Sequence, residues 1–303
     1  MGDRSPSDGL AARLIGLDWG TTSFRAYLIA EGGAVIDSIA SADGILSVQG
    51  GEFEGAFERL LAPWLADQPS LPIIASGMIT SRNGWLETPY LDTPAQAHDF
   101  AQALRPTVTA AGHRVNFVTG LAVEDAAGAP DVMRGEETEI LGHMAGLDQN
   151  APGLDQATPG PGAYIVPGTH SKWVETSGGA LTGFRTFMTG EVFSVLKNHS
   201  ILSRLTADGP FSEASFTLGA QIGLAEGGAL LHKLFAARTL PLFERLTPVE
   251  ASNYLSGLLI GSEVAAGLAQ SPSSAATTVI GQDTLAARYV KVLSLAGIQA
   301  HRA

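Results

Sequence analysis

The sequence has no cysteine among its 303 residues, so neither a disulfide nor a thiolate metal site can form. Its seven histidines include no pair at metalloprotease spacing. Cations are scarce: 18 Lys and Arg stand against 30 Asp and Glu, a formal charge of −12. That balance argues against broad contact with nucleic acid or an anionic membrane, both bound mainly through basic side chains. An anionic ligand must therefore be held by local groups. No apolar run reaches the ~20 residues that span a bilayer. The opening "MGDRSPSDGLAAR" lacks the apolar centre of a signal peptide and reads as a loose tail, so the cytoplasm is the expected compartment.

What is present is ample core material, 45% hydrophobic residues against 16% charged ones. The length exceeds what single cores usually fill, which favours two lobes, expected at 10–147 and 160–303. "LIGLDWG", "FRAYLIA" and "AVIDSIA" read as three short strands, with the glycine turn "EGG" between the second and third. "AYIVPGTHSKWVETSGGALTGFRTF", residues 163–187, repeats the plan of strand, Gly-Thr turn, strand, Gly-Gly turn and strand. A duplicated lobe follows. Helical spacing marks "GEFEGAFERLLAPWLA" from Gly51, "TPAQAHDFAQALR" from Thr93, "GEETEILGHMAGL" from Gly135, "PVEASNYLSGLLIGSEVAAGLA" from Pro248 and "TLAARYVKVLSLAG" from Thr284. Strands alternating with helices indicate an α/β class. The Pro- and Gly-rich "DQNAPGLDQATPGPG", 148–162, is the expected domain boundary, and "QSPSSAATT", 270–278, a second loop.

A polyphosphate is gripped by converging backbone N–H groups, which favours glycine, with neighbouring hydroxyls as further donors. Gly20, Thr21 and Thr22 supply this chemistry in the first copy, and Gly168 and Thr169 in the second. Two such turns facing each other would clamp a phosphate chain. Asp18 precedes the first turn and is a candidate Mg²⁺ ligand, since Mg²⁺ takes few carboxylates and keeps its waters. Lys172 adds a cation to the second turn or is simply a solvated strand residue, and His170 lies beside it. No Walker-type loop and no dinucleotide fingerprint occurs.

"DWGTTSFRAYL", "ASGMITSRNGWLETPY", "MRGEETEILG" and "VPGTHSKWV" together, in that order, resemble the motif set of the 2-dehydro-3-deoxygalactonokinases. These are sugar kinases of the actin, hexokinase and heat-shock-chaperone superfamily. The resemblance implies two actin-like, ribonuclease H-like lobes with a nucleotide and sugar-acid cleft between them. It also implies ATP and Mg²⁺ as cofactors, and transfer of the γ-phosphate to the terminal hydroxyl of 2-dehydro-3-deoxy-D-galactonate. By the same resemblance Glu136 is the general base, with Glu137 as the alternative, because "RGEETEILG" stands where related kinases carry an acidic helix-opening element. Acidic residues at a helix amino terminus are also favoured by the helix dipole alone.

The loop from Ser76, with Gly77, Met78, Ser81, Arg82 and Trp85, is the expected sugar-acid contact: Arg82 for the carboxylate, Trp85 for an apolar sugar face. Arg25 either joins them or pairs with a nearby acid. "VIGQDTLAARY" resembles the superfamily's adenosine element, which assigns Gly281 and Gln282 to the nucleotide. The expected partners are ATP and a 2-keto-3-deoxy sugar acid, with neither nucleic acid nor membrane; a homodimer stays open. The competing readings are a nucleotide-binding regulator or ATPase on the same lobes, and a kinase for a different sugar acid.

Overall fold

The computed structural model describes residues 11–149, 162–225, 227–270 and 277–303. Most of the expected tail, of the boundary at 148–162 and of the loop at 270–278 falls outside them. The chain divides into two compact units, Met1–Ala157 with Gly179–Leu181, and Thr158–Gly178 with Thr182–Ala303.

In the first unit β1 (Ala12–Trp19), β2 (Phe24–Ala30) and β3 (Val35–Ser41) form an antiparallel meander, followed by α1 (Phe53–Asp67) and β4 (Ile73–Ser76). Next come β5 (Tyr90–Asp92), β6 (Ala95–Gln96), α2 (Ala97–Ala103), β7 (Arg105–Val108), β8 (Arg114–Phe117), β9 (Gly120–Glu124), β10 (Pro130–Met133) and α3 (Glu136–Gln149). The main sheet has the order β3-β2-β1-β4-β8-β7, with β1, β4 and β8 parallel, and β10-β9-β5 form a small second sheet. α2 is shorter than "TPAQAHDFAQALR" suggests, because Ala95 and Gln96 are drawn into a strand against Leu181 and Ala180.

The second unit runs β11 (Gly162–Val166), β12 (Ser171–Ser177), β13 (Ala180–Phe187), α4 (Thr189–His199), α5 (Glu213–Ala225), α6 (Leu230–Lys233), α7 (Ala236–Leu242), α8 (Pro248–Gln270), β14 (Thr277–Val279), α9 (Asp283–Leu295) and β15 (Ala300–Arg302). Its strands are ordered β13-β12-β11-β14-β15, and β11, β14 and β15 are parallel. This matches β3-β2-β1-β4-β8 strand for strand. The duplication read from paired Gly-Thr and Gly-Gly turns is thus a duplication of sheet topology, the ribonuclease H-like plan.

Period-two alternation sets the core. Ile15, Leu17 and Trp19 of β1, with Phe24, Ala26 and Leu28 of β2, face Phe53, Phe57, Leu61, Trp64 and Leu65 of α1. In the second unit Ile165, Trp173 and Val279 pack with Phe216 of α5, Ile260 and Val264 of α8, and Tyr289, Val292 and Leu293 of α9. α8 carries no amphipathic stripe because it is buried along most of its length. It is met by α5 at glycine: a Cβ on Gly257 would lie 2.0 Å from the Phe216 carbonyl oxygen, and one on Gly219 2.1 Å from that of Tyr254. No helix among the described residues is long and apolar enough to cross a membrane. Gly257→Ala should lower unfolding stability by about 1 to 3 kcal/mol, as overpacking does, measured by urea denaturation.

Candidate active site

Alternation on β1 sends Asp18 to the sheet face opposite the α1 core. There it is in register with Arg25 on β2 and Ser76 on β4. Arg25 Nη1 donates to Asp18 Oδ2 at 2.9 Å, so Arg25 is the partner of the acid rather than a free substrate contact. Burial raises the Asp18 carboxyl above its ordinary value and Arg25 opposes that rise.

The end of β4 meets the start of α3. Ser76 Oγ lies 2.8 Å from Thr138 Oγ1. A Cβ on Gly135 would stand 3.3 Å from the Cα of Gly77, and one on Gly77 2.9 Å from the Trp19 carbonyl oxygen, so both turns need glycine for their close approach. A cavity of about 310 Å³ opens here, lined by Gly16, Asp18, Ser76, Thr138, Glu139 and apolar residues of β1 and β2.

The two predicted catalytic carboxylates have different surroundings. Glu136 is half-buried and its Oε2 accepts the Arg134 N–H at 3.0 Å. Glu137 is 1% exposed, and its oxygens accept the Gly135 N–H at 2.9 and 2.8 Å. Enclosed in this way, Glu137 holds the turn and presents no face to a substrate hydroxyl, which removes it as the alternative base. Burial and then the like charge of Glu136 push its carboxyl up to about 8. Glu139, on the cavity wall, was not singled out from the sequence. Desolvation there, then Asp18 and Glu136, push it up to about 7, although the residue as a whole remains exposed to solvent.

The expected sugar-acid loop divides. Trp85 turns inward, its ring 5.4 Å from both Phe57 and Phe117, and packs half-buried against the core. Met78 also packs on that core. Ser76 is buried against Thr138, and Ser81 Oγ donates to the Met78 carbonyl. Arg82 is exposed and makes no ion pair or hydrogen bond among the described residues. The loop is held by Arg134, unassigned from the sequence although it stands inside "MRGEETEILG". Its Nη1 reaches the Thr80 carbonyl at 2.7 Å and Thr88 Oγ1 at 2.6 Å, its Nη2 the Thr88 carbonyl at 3.0 Å, and its guanidinium lies 4.4 Å from the Tyr90 ring centre. One cation therefore ties the acidic turn to the loop.

The Gly-Thr turns are built alike in the two units. Thr21, Thr22 and Thr169 are exposed, and no hydrogen bond engages their hydroxyls among the described residues. A Cβ on Gly20 would come no nearer than 3.5 Å to its surroundings, and one on Gly168 no nearer than 3.9 Å. The fold itself does not demand these two glycines. It does demand the ones behind them: a Cβ on Gly44 would be 2.4 Å from the Thr21 carbonyl oxygen, and one on Gly190 2.2 Å from that of Gly168. The residue after each buttress binds the turn, Ile45 N–H to Gly20 at 3.0 Å and Glu191 N–H to Thr169 at 2.9 Å. Gly44 and Gly190 each stand three residues beyond the third strand of their unit, a signal present in the sequence.

His170 pairs with Glu191. Lys172 is buried and donates to Thr186 Oγ1 at 2.7 Å, so it is not the solvated strand residue of the simpler reading. Gly281 abuts Pro167, just before Gly168, and Gln282 is exposed and caps α9 through its carbonyl. The adenosine-like element and the second Gly-Thr turn are thus neighbours. Among the described residues no cluster of three or more His, Asp or Glu is arranged to hold a metal. The single carboxylate of Asp18 matches Mg²⁺ bound mostly by phosphate and water.

The family model described as 2-keto-3-deoxy-galactonokinase matches residues 18–303. A Rhizobium meliloti (strain 1021) protein named as a probable 2-dehydro-3-deoxygalactonokinase is 35% identical over 93% of this chain and 89% of its own length. The 2-dehydro-3-deoxygalactonokinase of Escherichia coli (strain K12) is 32% identical over 95% of this chain and 91% of its own. The crystal structure of a candidate 2-dehydro-3-deoxygalactonokinase from Sinorhizobium meliloti superposes with a TM-score of 0.83 at 33% identity, covering 96% of this chain and 93% of that one.

Gly190→Ala should destabilise the protein by about 1 to 3 kcal/mol, whereas Gly168→Ala should stay within about 0.5 kcal/mol of the unaltered protein in urea denaturation. The raised carboxyl of Glu137 predicts a pH dependence. Its folded value of about 8 exceeds the ordinary 4.5, so its contribution is full below about 4.5 and is lost as pH rises through about 8. Unfolding free energy should fall between pH 5 and 8, and Glu137→Gln should flatten that slope.

Proposed function

The chain belongs to the 2-keto-3-deoxy-galactonokinase family, and from that membership we propose that it phosphorylates 2-dehydro-3-deoxy-D-galactonate at its terminal hydroxyl with ATP, giving the 6-phosphate in galactonate catabolism. The observation that carries the residue assignments is the meeting of Asp18, Glu136 and Glu139 near the first Gly-Thr turn, where metal, phosphate and proton chemistry are all required.

Phosphoryl transfer depends mainly on positioning and on stabilising charge. The hydroxyl oxygen attacks the γ-phosphorus, the bond to the β,γ-bridging oxygen breaks and ADP departs. Glu136 takes the hydroxyl proton; its half-open carboxylate suits that role better than the enclosed Glu137. Asp18 would hold Mg²⁺, which when bound neutralises phosphate charge. Arg25 then keeps the Asp18 carboxylate oriented from the neighbouring strand. The Gly20 N–H is already given to the Ser23 carbonyl at 2.9 Å, so in the first turn Thr21 and Thr22 bind phosphate oxygens; in the second turn Gly168 and Thr169 do so, and Gly281 with Gln282 borders the nucleoside. Arg82, exposed and unengaged among the described residues, binds the sugar-acid carboxylate.

A coupled ADP-release assay with and without stereochemically pure 2-keto-3-deoxy acids tests this reading. Release should depend on the acid and be fastest with the galactonate isomer; release indifferent to the acid would point to an ATPase instead. In the same assay Glu136→Gln should lose about 100-fold or more in turnover while retaining ATP affinity. Arg82→Ala should raise the KM for the acid more than that for ATP.

A further inference from the structure

α8 carries one acidic residue deep in the second unit, Glu263, 3% exposed. Its Oε1 accepts Ser171 Oγ–H at 2.7 Å and Trp173 Nε1–H at 2.8 Å, its Oε2 accepts Tyr289 O–H at 2.6 Å, and Thr189 also donates to the carboxylate. Four donors thus converge on the two oxygens of one buried carboxyl group. None of the roles given above uses it.

Two of those donors flank the second Gly-Thr turn. Ser171 follows Gly168-Thr169-His170 directly, and Thr189 precedes Gly190, the glycine seated against the Gly168 carbonyl. α4, which carries Gly190, has no fully buried residue, and a cavity of about 270 Å³ lies against it, lined by Thr189, Val192, Leu259 and Glu263. Val192, Phe193 and Leu196 hold α4 on the core through half-buried contacts, and at its first turn polar ties add to that hold: Glu191 N–H to the Thr169 carbonyl, and Thr189 to Glu263.

We propose that Glu263 is a positioning residue for nucleotide phosphate, fastening both ends of the Gly168–His170 turn to α8 so that its N–H groups and hydroxyl are preorganised. The inference rests on the kinase reading for the identity of the nucleotide, but not for the geometry. Burial raises the carboxyl while its four hydrogen bonds hold it down, and a Gln there would turn an N–H toward donors that need an acceptor.

The test compares two single-donor deletions in the full-length protein. Ser171→Ala removes a tie to the turn, whereas Tyr289→Phe removes a donor from α9 on the other carboxylate oxygen. Calorimetric titration with a non-hydrolysable ATP analogue, without sugar acid, should show about ten-fold weaker binding for Ser171→Ala and a change within about two-fold for Tyr289→Phe. Both should lower the unfolding midpoint to a similar degree. In turnover, Ser171→Ala should raise the KM for ATP and leave that for the acid unchanged. Unaltered analogue binding in Ser171→Ala, or equal weakening in both variants, would overturn the proposal. Should Ser171→Ala not fold, Thr189→Val makes the same comparison from the α4 side. Failure of the kinase reading would show instead as ADP release by the unaltered protein that ignores the acid, with analogue binding still reporting on Glu263.

Discussion

β1 must serve two faces at once, and the site depends on that. Ile15, Leu17 and Trp19 anchor the strand in the α1 core, which leaves Asp18 no choice but the opposite face. A one-residue slip would bury the acid and expose the core residues. Because the strand is held by apolar packing, Arg25 and Ser76 meet Asp18 in fixed register from either side. The Trp19 indole extends the same anchor by binding the Asp43 carbonyl at 2.8 Å, which holds the Gly44 buttress beneath the first turn.

The second unit repeats the sheet and the buttress but secures them differently. Gly190 answers to Gly44, yet no indole on β11 performs the task of Trp19. The buried carboxylate of Glu263 does so through Thr189 and Ser171. The acid positions are also exchanged: the first unit presents its carboxylate at the turn, at Asp18, whereas the second keeps its own underneath. A duplicated backbone thus carries two electrostatic environments, one suited to a cation and one to an anion held by N–H groups and hydroxyls.

Much of this was legible. The three-strand meanders, α1, α3, α8 and α9 follow from alternation and helical spacing, and the repeated Gly-Thr and Gly-Gly turns disclosed the duplication. The helices at 189–242 were not anticipated; α5 in particular is rich in small residues whose role is close approach to α8, which leaves no amphipathic period to read. Trp85 stands in a polar loop, and the order of residues gives no sign that Phe57 and Phe117 pack against its ring. Glu136 and Glu137 are adjacent and chemically identical, and only burial separates them.

Local chemistry determined what the sequence could decide alone: where the chain turns, which residues alternate, which turns carry donors, and that the chain matches one kinase motif set in order. These are properties of neighbours along the chain. The tertiary structure decided which polar groups stay free. Arg25, Ser76, Lys172 and Glu137 are each engaged by a partner, that of Ser76 lying 62 residues away, while the side chains of Thr21, Thr22, Thr169 and Arg82 make no hydrogen bond or ion pair among the described residues. Whether a polar side chain serves the fold or a ligand depends on who stands next to it in space, and the order of residues does not state that.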